Sequence, residues 1–326
     1  MQAWDDTKQA ALENAWLNYR RWAITARNAT KRIKAGTGWV FKLTILGSML
    51  CMISQLLKTW SNLAAAMEWA QRGLGIAGAI ALAFAAYFTR ELLTDEAQKR
   101  WLRSRGAAEG IKSECYLFRL GAPPYDAADA GQRLLTNIQE RRKLVNGMTH
   151  DTASDAELRK DLPQGLLTIE GYIKDRVQDQ IDFYDGRVGE YQQSLSQNRM
   201  QVIVLGAVSV ALGFVAGWWA SPAAAIIAFI ATLTAALNSH VASSRYGYLV
   251  VSYQAVSDQL RDLKQLWPVT RLKDDPSAQA LFAKSCESAM AAENNAWMAK
   301  LSERPPENTG AQAPALTQTA VKDAGH

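Results

Sequence analysis

The side chains of this chain that could bind a metal or activate water lie far apart in the sequence. The three histidines are His150, His240 and His326. None of them has a carboxylate or a cysteine at the spacing of a metal-ligand set. Gly73, Gly75 and Gly78 lie inside an apolar run and do not form a phosphate-binding loop before a helix. We therefore expect no enzyme activity, no cofactor and no bound metal.

Small polar side chains within apolar stretches suggest a different chemistry, that of a water-filled path. Thr44, Ser48, Cys51 and Gln55 share one helical face, and Thr232, Ser239 and Ser243 share another. Because polar groups that face lipid are costly, six of these residues are candidate pore-lining residues: Thr44, Ser48, Gln55, Thr232, Ser239 and Ser243. In the alternative interpretation the hydroxyls bond their own helix backbone or a neighbouring helix.

Apolar segments long enough to cross a bilayer carry these polar residues. Residues 200–244 contain no Asp, Glu, Lys or Arg, which is enough for two spans of about 20 residues each. We place these spans at 202–217 and 222–238, and two earlier ones at 35–57 and 73–89. The segment 73–89 is short and rich in Ala and Gly, so its alternative is a buried helix of a soluble bundle. The predicted fold class is an all-α integral membrane protein with two transmembrane helical hairpins.

The distribution of Lys and Arg predicts the orientation of these hairpins. Residues 1–34 and 90–112 are rich in basic side chains, whereas the first hairpin tip holds only Lys58 and Arg72. Because basic residues stay inside, we expect both termini in the cytoplasm and the chain in a bacterial inner membrane. The net charge of +5 then fits the lipid surface as the partner, and we expect no nucleic acid. Cys51, Cys115 and Cys286 are expected to be free thiols.

Two apolar stripes flank the second hairpin and alternate spacings of four and three residues, the pattern of a coiled-coil seam. The first stripe is Val177, Ile181, Tyr184, Val188, Tyr191 and Leu195. The second is Leu249, Tyr253, Val256, Leu260, Leu263 and Trp267. Since a membrane hairpin joins them, we predict two helices that extend from the membrane as an antiparallel stalk. The two stalk helices either pack only against each other or also transmit a cytoplasmic event to the spans.

Composition divides the chain into four parts. Residues 1–120 form a first two-transmembrane unit, 121–165 a cytoplasmic insertion, 166–302 a second unit, and 303–326 a tail predicted to be disordered. Small residues could bring helices close together, with Gly213 and Gly217 on the third span and Gly75, Ala79 and Ala83 on the second. Four spans are too few to enclose a wide channel, so a pore requires a homo-oligomer.

Residues at the start of the second unit resemble a known family. Tyr172, Arg176, Gln180, Phe183 and Tyr184, followed by a polar helix and a two-span hairpin, resemble the SLATT proteins. These are two-transmembrane effectors associated with bacterial nucleotide-synthase and nucleotide-sensor genes, and they more often have Trp-Tyr where this chain has Phe183-Tyr184. Residues 108–125 resemble a variant of the same domain, which suggests two SLATT units in tandem.

The resemblance implies a membrane effector of bacterial anti-phage or nucleotide-linked defence. Such an effector is expected to oligomerise and to permeabilise or depolarise the membrane when a separate sensor protein or a nucleotide second messenger activates it. The competing hypothesis is a non-conducting scaffold that docks cytoplasmic partners through its stalks. A transporter is disfavoured because no span holds an acidic residue or an arginine for a coupling ion.

Overall fold

A computed structural model describes residues 4–59, 65–92, 94–218, 223–244, 246–269 and 274–302. The described part is all-α. The long helices are α1 (Asp6–Thr59), α2 (Ala65–Leu92), α3 (Asp95–Leu120), α4 (Ala130–Arg142), α7 (Asp179–Trp218), α8 (Ala223–Ser244), α9 (Tyr246–Leu266) and α10 (Pro276–Ser302). Two single turns, α5 (Asp155–Leu158) and α6 (Ile169–Tyr172), lie between α4 and α7. A π-helical segment, Ile173–Gln178, joins α6 to α7. The predicted tail, 303–326, lies outside the described residues.

Helices α1 and α2 pack through small residues. A Cβ added to Gly78 would lie 2.8 Å from the carbonyl oxygen of Gly47, and one added to Gly47 would lie 2.9 Å from that of Gly78. The backbones therefore approach closely at this point, as glycine permits. Ser54 Oγ donates a hydrogen bond to the carbonyl oxygen of Gln71 across the same interface (2.9 Å).

The packed face of α2 includes only part of the one expected from the sequence, since a Cβ at Gly75 would lie 3.1 Å from Ser54 Oγ of α1. Gly78, Ala81 and Ala85 are buried, whereas Ala79 and Ala83 are exposed. The partner helix decides this, because α1 presents Gly47 directly opposite Gly78. Spacing alone cannot distinguish two adjacent small-residue faces of one helix.

Helices α7 and α9 run antiparallel. Tyr191 stacks on Tyr246 with ring centroids 5.1 Å apart, and Tyr184 contacts Tyr253 at 5.2 Å. Residues later in α7 thus pair with residues earlier in α9. Helix α8 packs against both α7 and α1, so the apolar ends of the two units are in contact.

The charged ends of the helices form one bundle, which we call the polar bundle. It consists of the N-terminal half of α1, α3, α4, the start of α7, α9 and α10, and it holds a single hydrophobic cluster. Leu12 on α1, Ile111 on α3 and Leu134 on α4 are all buried in that cluster, together with Leu260 on α9. The two units expected from composition therefore share one core, and their boundaries stay predictions.

Residues 121–165 pack onto this bundle. Leu134 and Ile138 of α4 are buried, and Tyr125 Oη donates a short hydrogen bond of 2.5 Å to Glu114 Oε2. Asp151 binds both α1 and α3, since it accepts hydrogen bonds from Asn28 Nδ2 (3.0 Å) and from an Arg100 Nη (3.1 Å). The segment is therefore an integral part of the bundle surface.

Three helical segments in the described part are long and apolar enough to cross a membrane: Asp6–Lys58, Met67–Glu91 and Ala224–Val269. The other predicted span, 202–217, forms the end of α7, where the side chains of residues 215–218 lie outside the description. That crossing stays a prediction. Several of its described large apolar side chains are exposed, among them Ile203, Val210 and Phe214. A polar, packed bundle joined to helices with exposed apolar surfaces is the architecture of an all-α membrane protein.

Candidate functional site

Arg176 is the centre of a buried ionic cluster in the polar bundle. It lies in the π-helical segment at the start of α7, and its side chain is 1% exposed. Its Nε and Nη2 donate hydrogen bonds of 3.0 and 2.9 Å to the two carboxylate oxygens of Glu287 on α10. A guanidinium and a carboxylate that meet through two parallel bonds fix each other's orientation as well as their charge. The pair therefore joins the start of the stalk to α10.

Two aromatic side chains complete this cluster. Tyr172 Oη donates a hydrogen bond of 3.0 Å to Glu287 Oε1. The guanidinium carbon of Arg176 lies 5.2 Å from the ring centroid of Tyr116 on α3, a cation–π distance. Helices α3, α7 and α10 thus meet at a single charged group.

The electrostatics of the cluster hold its groups in defined protonation states. Burial alone would lower the pKa of Arg176, but the Glu287 carboxylate raises that pKa well above its usual value. Burial raises the pKa of Tyr172, and the charge of Glu287 raises it further, so the phenol stays a donor. Loss of hydration would raise the pKa of Glu109, but Lys112 and Arg176 bring it below its usual value. These shifts keep Arg176 and Glu109 charged and Tyr172 protonated at neutral pH.

The stalk residues predicted from spacing lie between α7 and α9 in two groups. Val177, Ile181 and Tyr184 are buried, as are Leu249, Tyr253, Val256, Leu260 and Trp267. Val188, Tyr191, Leu195 and Leu263 are half-buried. Burial thus decreases along α7 towards its apolar end. Polar bonds support the same pair of helices, since Ser257 Oγ donates to Asp185 Oδ1 at 2.7 Å.

The candidate pore-lining hydroxyls bond the backbone of their own helices. Thr44 Oγ1 donates to the carbonyl oxygen of Val40 and Ser48 Oγ to that of Thr44, each at 2.8 Å. Thr232 Oγ1 donates to the carbonyl oxygen of Ala228 at 2.9 Å. This is the geometry of the alternative interpretation, in which the hydroxyl proton is bonded to the backbone of the same helix.

The remaining pore candidates are on exposed positions or outside the description. Gln55 and Ser239 are exposed. The side chain of Ser243 lies outside the described part of the chain. The pore-lining role of all six residues stays a prediction.

The family-motif residues come together in the ionic cluster and beside it. Tyr172, Arg176 and Tyr184 are buried, and Gln180 and Phe183 line a cavity next to Arg176. Residues 172–297 match the family model described as SMODS and SLOG-associating 2TM effector domain 1. This part of the chain is therefore similar to the SLATT family. The matched region begins with Tyr172 and includes Glu287, so it contains both partners of the buried ion pair.

The first unit matches a differently described model. Residues 15–132 match a family described as a protein of unknown function, DUF4231. The tandem arrangement of two SLATT units therefore stays a prediction. No curated protein and no solved structure was found to match the chain.

Sequence reasoning did not identify Glu287 or Glu109 as parts of the site. Glu287 lies 111 positions from Arg176 in the sequence, and α10 lacks the seam pattern that marks α7 and α9. One signal was available, because a carboxylate flanked by Cys286, Ala289 and Met290 lies on an apolar helix face. Among the described residues, no group of three or more His, Cys, Asp or Glu side chains could hold a metal.

Proposed function

We propose that this protein is a membrane effector of bacterial defence whose polar bundle controls the permeability of the inner membrane. The match to a two-transmembrane effector domain supports the effector role. The observation that carries the proposal is the continuity of two helices. Helix α1 has 54 residues and α7 has 40, and each runs without a break from the packed bundle into an apolar segment.

Continuity matters because a helix transmits rotation and tilt along its length. At about 1.5 Å per residue, α1 is roughly 80 Å long and α7 roughly 60 Å. No loop between bundle and span absorbs a movement of either helix. A change in the bonds between α10 and the segment that leads into α7 therefore moves the third span, while α8 carries the movement to α1.

In this proposal both termini and the polar bundle lie in the cytoplasm, and copies of the chain assemble through their spans. The basic residues of 1–34 and 90–112 support this orientation. Gly213 supports assembly, since nothing in the described part lies within 4 Å of a Cβ placed there. The protein carries out no catalysis of its own, and a separate sensor or a diffusible messenger activates it.

The test is the membrane potential of bacteria that express the full chain, followed with a potential-sensitive dye. We expect depolarisation on activation, and dye release from liposomes that contain the purified protein. Gln55→Leu is expected to reduce the flux, whereas Met49→Leu, an apolar exchange at another exposed position of α1, is the matched control. An intact potential in activated cells that contain membrane-inserted protein refutes the proposal.

The scaffold hypothesis predicts the opposite pattern. Under it, Gln55→Leu, Ser48→Leu and Thr232→Leu leave function unchanged, while Tyr184→Ala or Tyr253→Ala abolishes it. The backbone bonds of Ser48 and Thr232 favour this alternative for those two positions only. The result for Gln55 therefore decides between the two functions.

A further inference from the structure

A cavity of about 390 Å³ lies beside the ionic cluster, between α3, the start of α7 and α10. Its volume is within the range of small-molecule sites. Four basic residues line it, Arg105, Lys112, Arg141 and Arg176. Three acidic residues line it as well, Glu109, Asp179 and Glu287, and two of these already bind Arg176. The cavity therefore has an excess of positive charge.

One donor in this cavity has no acceptor. Arg176 Nη1 is buried and has no hydrogen-bond partner in the described part of the chain. The other two nitrogens of the same guanidinium are bonded to Glu287. A buried charged donor without an acceptor is costly, and native proteins rarely retain one without a reason. An anionic ligand in the cavity would supply the missing acceptor.

A second cation faces the same space. Lys112 Nζ lies 5.7 Å from the ring centroid of Tyr19, and no carboxylate of the described residues lies within ion-pair distance. Burial lowers the pKa of Lys112, and repulsion from Arg176 lowers it further. A bound anion would relieve this repulsion. Arg141, in contrast, is half exposed and donates two hydrogen bonds to Glu114 Oε1 (3.1 and 2.7 Å), so it is not a buried cation without an acidic partner.

We propose that this cavity binds a small soluble anion that carries a phosphate group, with Arg176 Nη1 and Lys112 Nζ as the donors. A phosphate offers several acceptor oxygens at once, which suits two cationic donors that approach from different helices. A lipid headgroup is a poor candidate. Tyr184 at the cavity wall lies 18 positions before the predicted span at 202, or about 27 Å along α7.

Binding would act on the start of α7. Arg176 lies in the π-helical segment from which α7 continues towards the membrane, so a ligand that engages Nη1 changes the balance of bonds at that segment. The role of the ligand as the activating signal rests on the proposed function. The binding site itself does not.

The test is isothermal titration of the full chain in detergent micelles with inorganic phosphate and with pyrophosphate. We expect saturable binding that Lys112→Gln weakens about tenfold or more, as expected for the loss of one charge-assisted bond. Lys99→Gln is the matched control, because Lys99 is an exposed lysine of the same helix that pairs with Glu96. Arg176→Lys is a second variant for the same titration. It is used only if its unfolding temperature equals that of the wild-type protein.

Three results would overturn the inference. They are no saturable binding of either probe by the folded protein, equal affinities of the Lys112→Gln and Lys99→Gln variants, and binding only to micelles that contain a phosphatidyl lipid. Because titration measures no ion flux, a protein that binds but does not depolarise membranes refutes only the proposed function. A protein that depolarises membranes without binding either probe refutes only this inference.

Discussion

The guanidinium of Arg176 and the carboxylate of Glu287 form a bidentate pair at 3.0 and 2.9 Å, with both side chains almost completely buried. The pair links the first turns of the region that matches the SLATT model to α10, near the other end of that region. It is therefore the contact through which the packing of α10 and the position of α7 depend on each other.

Removal of Glu287 should destabilise the polar bundle severely. Glu287→Ala leaves Arg176 charged and buried without its main partner, which costs about 3–5 kcal/mol of unfolding free energy. The measurement is the thermal unfolding of the purified protein in detergent, followed by circular dichroism. Glu190→Ala is the control, because Glu190 pairs with Arg187 on the surface and contributes at most about 1 kcal/mol. Equal melting temperatures of the two variants would contradict the prediction.

Tyr253 should contribute strongly to the pairing of α7 and α9. Its ring lies 5.2 Å from that of Tyr184 and 6.1 Å from that of Tyr191, so Tyr253→Ala removes aromatic contacts and leaves a cavity. We expect a loss of about 3–5 kcal/mol in the unfolding free energy. Val251→Ala on the same helix is the control, since Val251 is 69% exposed. A similar loss of unfolding free energy in both variants would indicate a general effect of substitutions in α9 rather than a specific effect on the seam between α7 and α9.

Gly78→Ala should disrupt the α1–α2 hairpin. The added methyl group would lie 2.8 Å from the carbonyl oxygen of Gly47, so the helices must separate, at a cost of about 1–3 kcal/mol. The experiment compares the thermal stability of Gly78→Ala with that of Gly73→Ala. Nothing lies within 4 Å of a Cβ at Gly73, so this control should show no loss. If Gly78→Ala is as stable as the control, the backbones of α1 and α2 do not approach this closely at Gly78.

Asp151 should hold residues 121–165 on the bundle. Asp151→Ala removes the acceptor for Asn28 and Arg100, so the segment around Arg159 and Lys160 should become accessible to trypsin. The measurement is the rate of limited proteolysis under native conditions, and we expect it to rise severalfold. Asp126→Ala is the control, because Asp126 is an exposed aspartate of the same segment. Equal cleavage rates would show that other contacts hold the segment.

Cys286 should resist alkylation in the folded protein. Burial raises the pKa of its thiol from about 9 to about 12, and the charge of Glu287 adds to this. Because the folded-state pKa is the higher one, the thiol's contribution to stability is present below pH 9 and is lost as the pH rises towards 12. Mass spectrometry of iodoacetamide-treated protein should show a reaction midpoint near pH 9 after unfolding and well above it in the native state. A reaction midpoint near pH 9 in the native state would refute the raised pKa of the Cys286 thiol.

The sequence by itself determined the parts of this protein that depend on local periodicity and composition. Long runs without charge predict spans, because no helix can place charges in lipid cheaply, and three of these segments are confirmed as long and apolar enough to cross a membrane. The alternating spacing from Val177 to Trp267 indicated two helices with facing apolar stripes. The uncharged runs and the apolar stripes are both properties of a single helix and its immediate solvent.

Only the tertiary structure decided which residues meet across the chain. The face of α2 that packs on α1 depends on a glycine of α1, and the partner of Arg176 is on α10, outside the predicted seam. The same holds for the shared core of the two units, which composition had separated at 121–165. Such contacts are set by the closest fit between whole helices and by the need to neutralise a buried charge, and neither requirement leaves a periodic signal in the sequence.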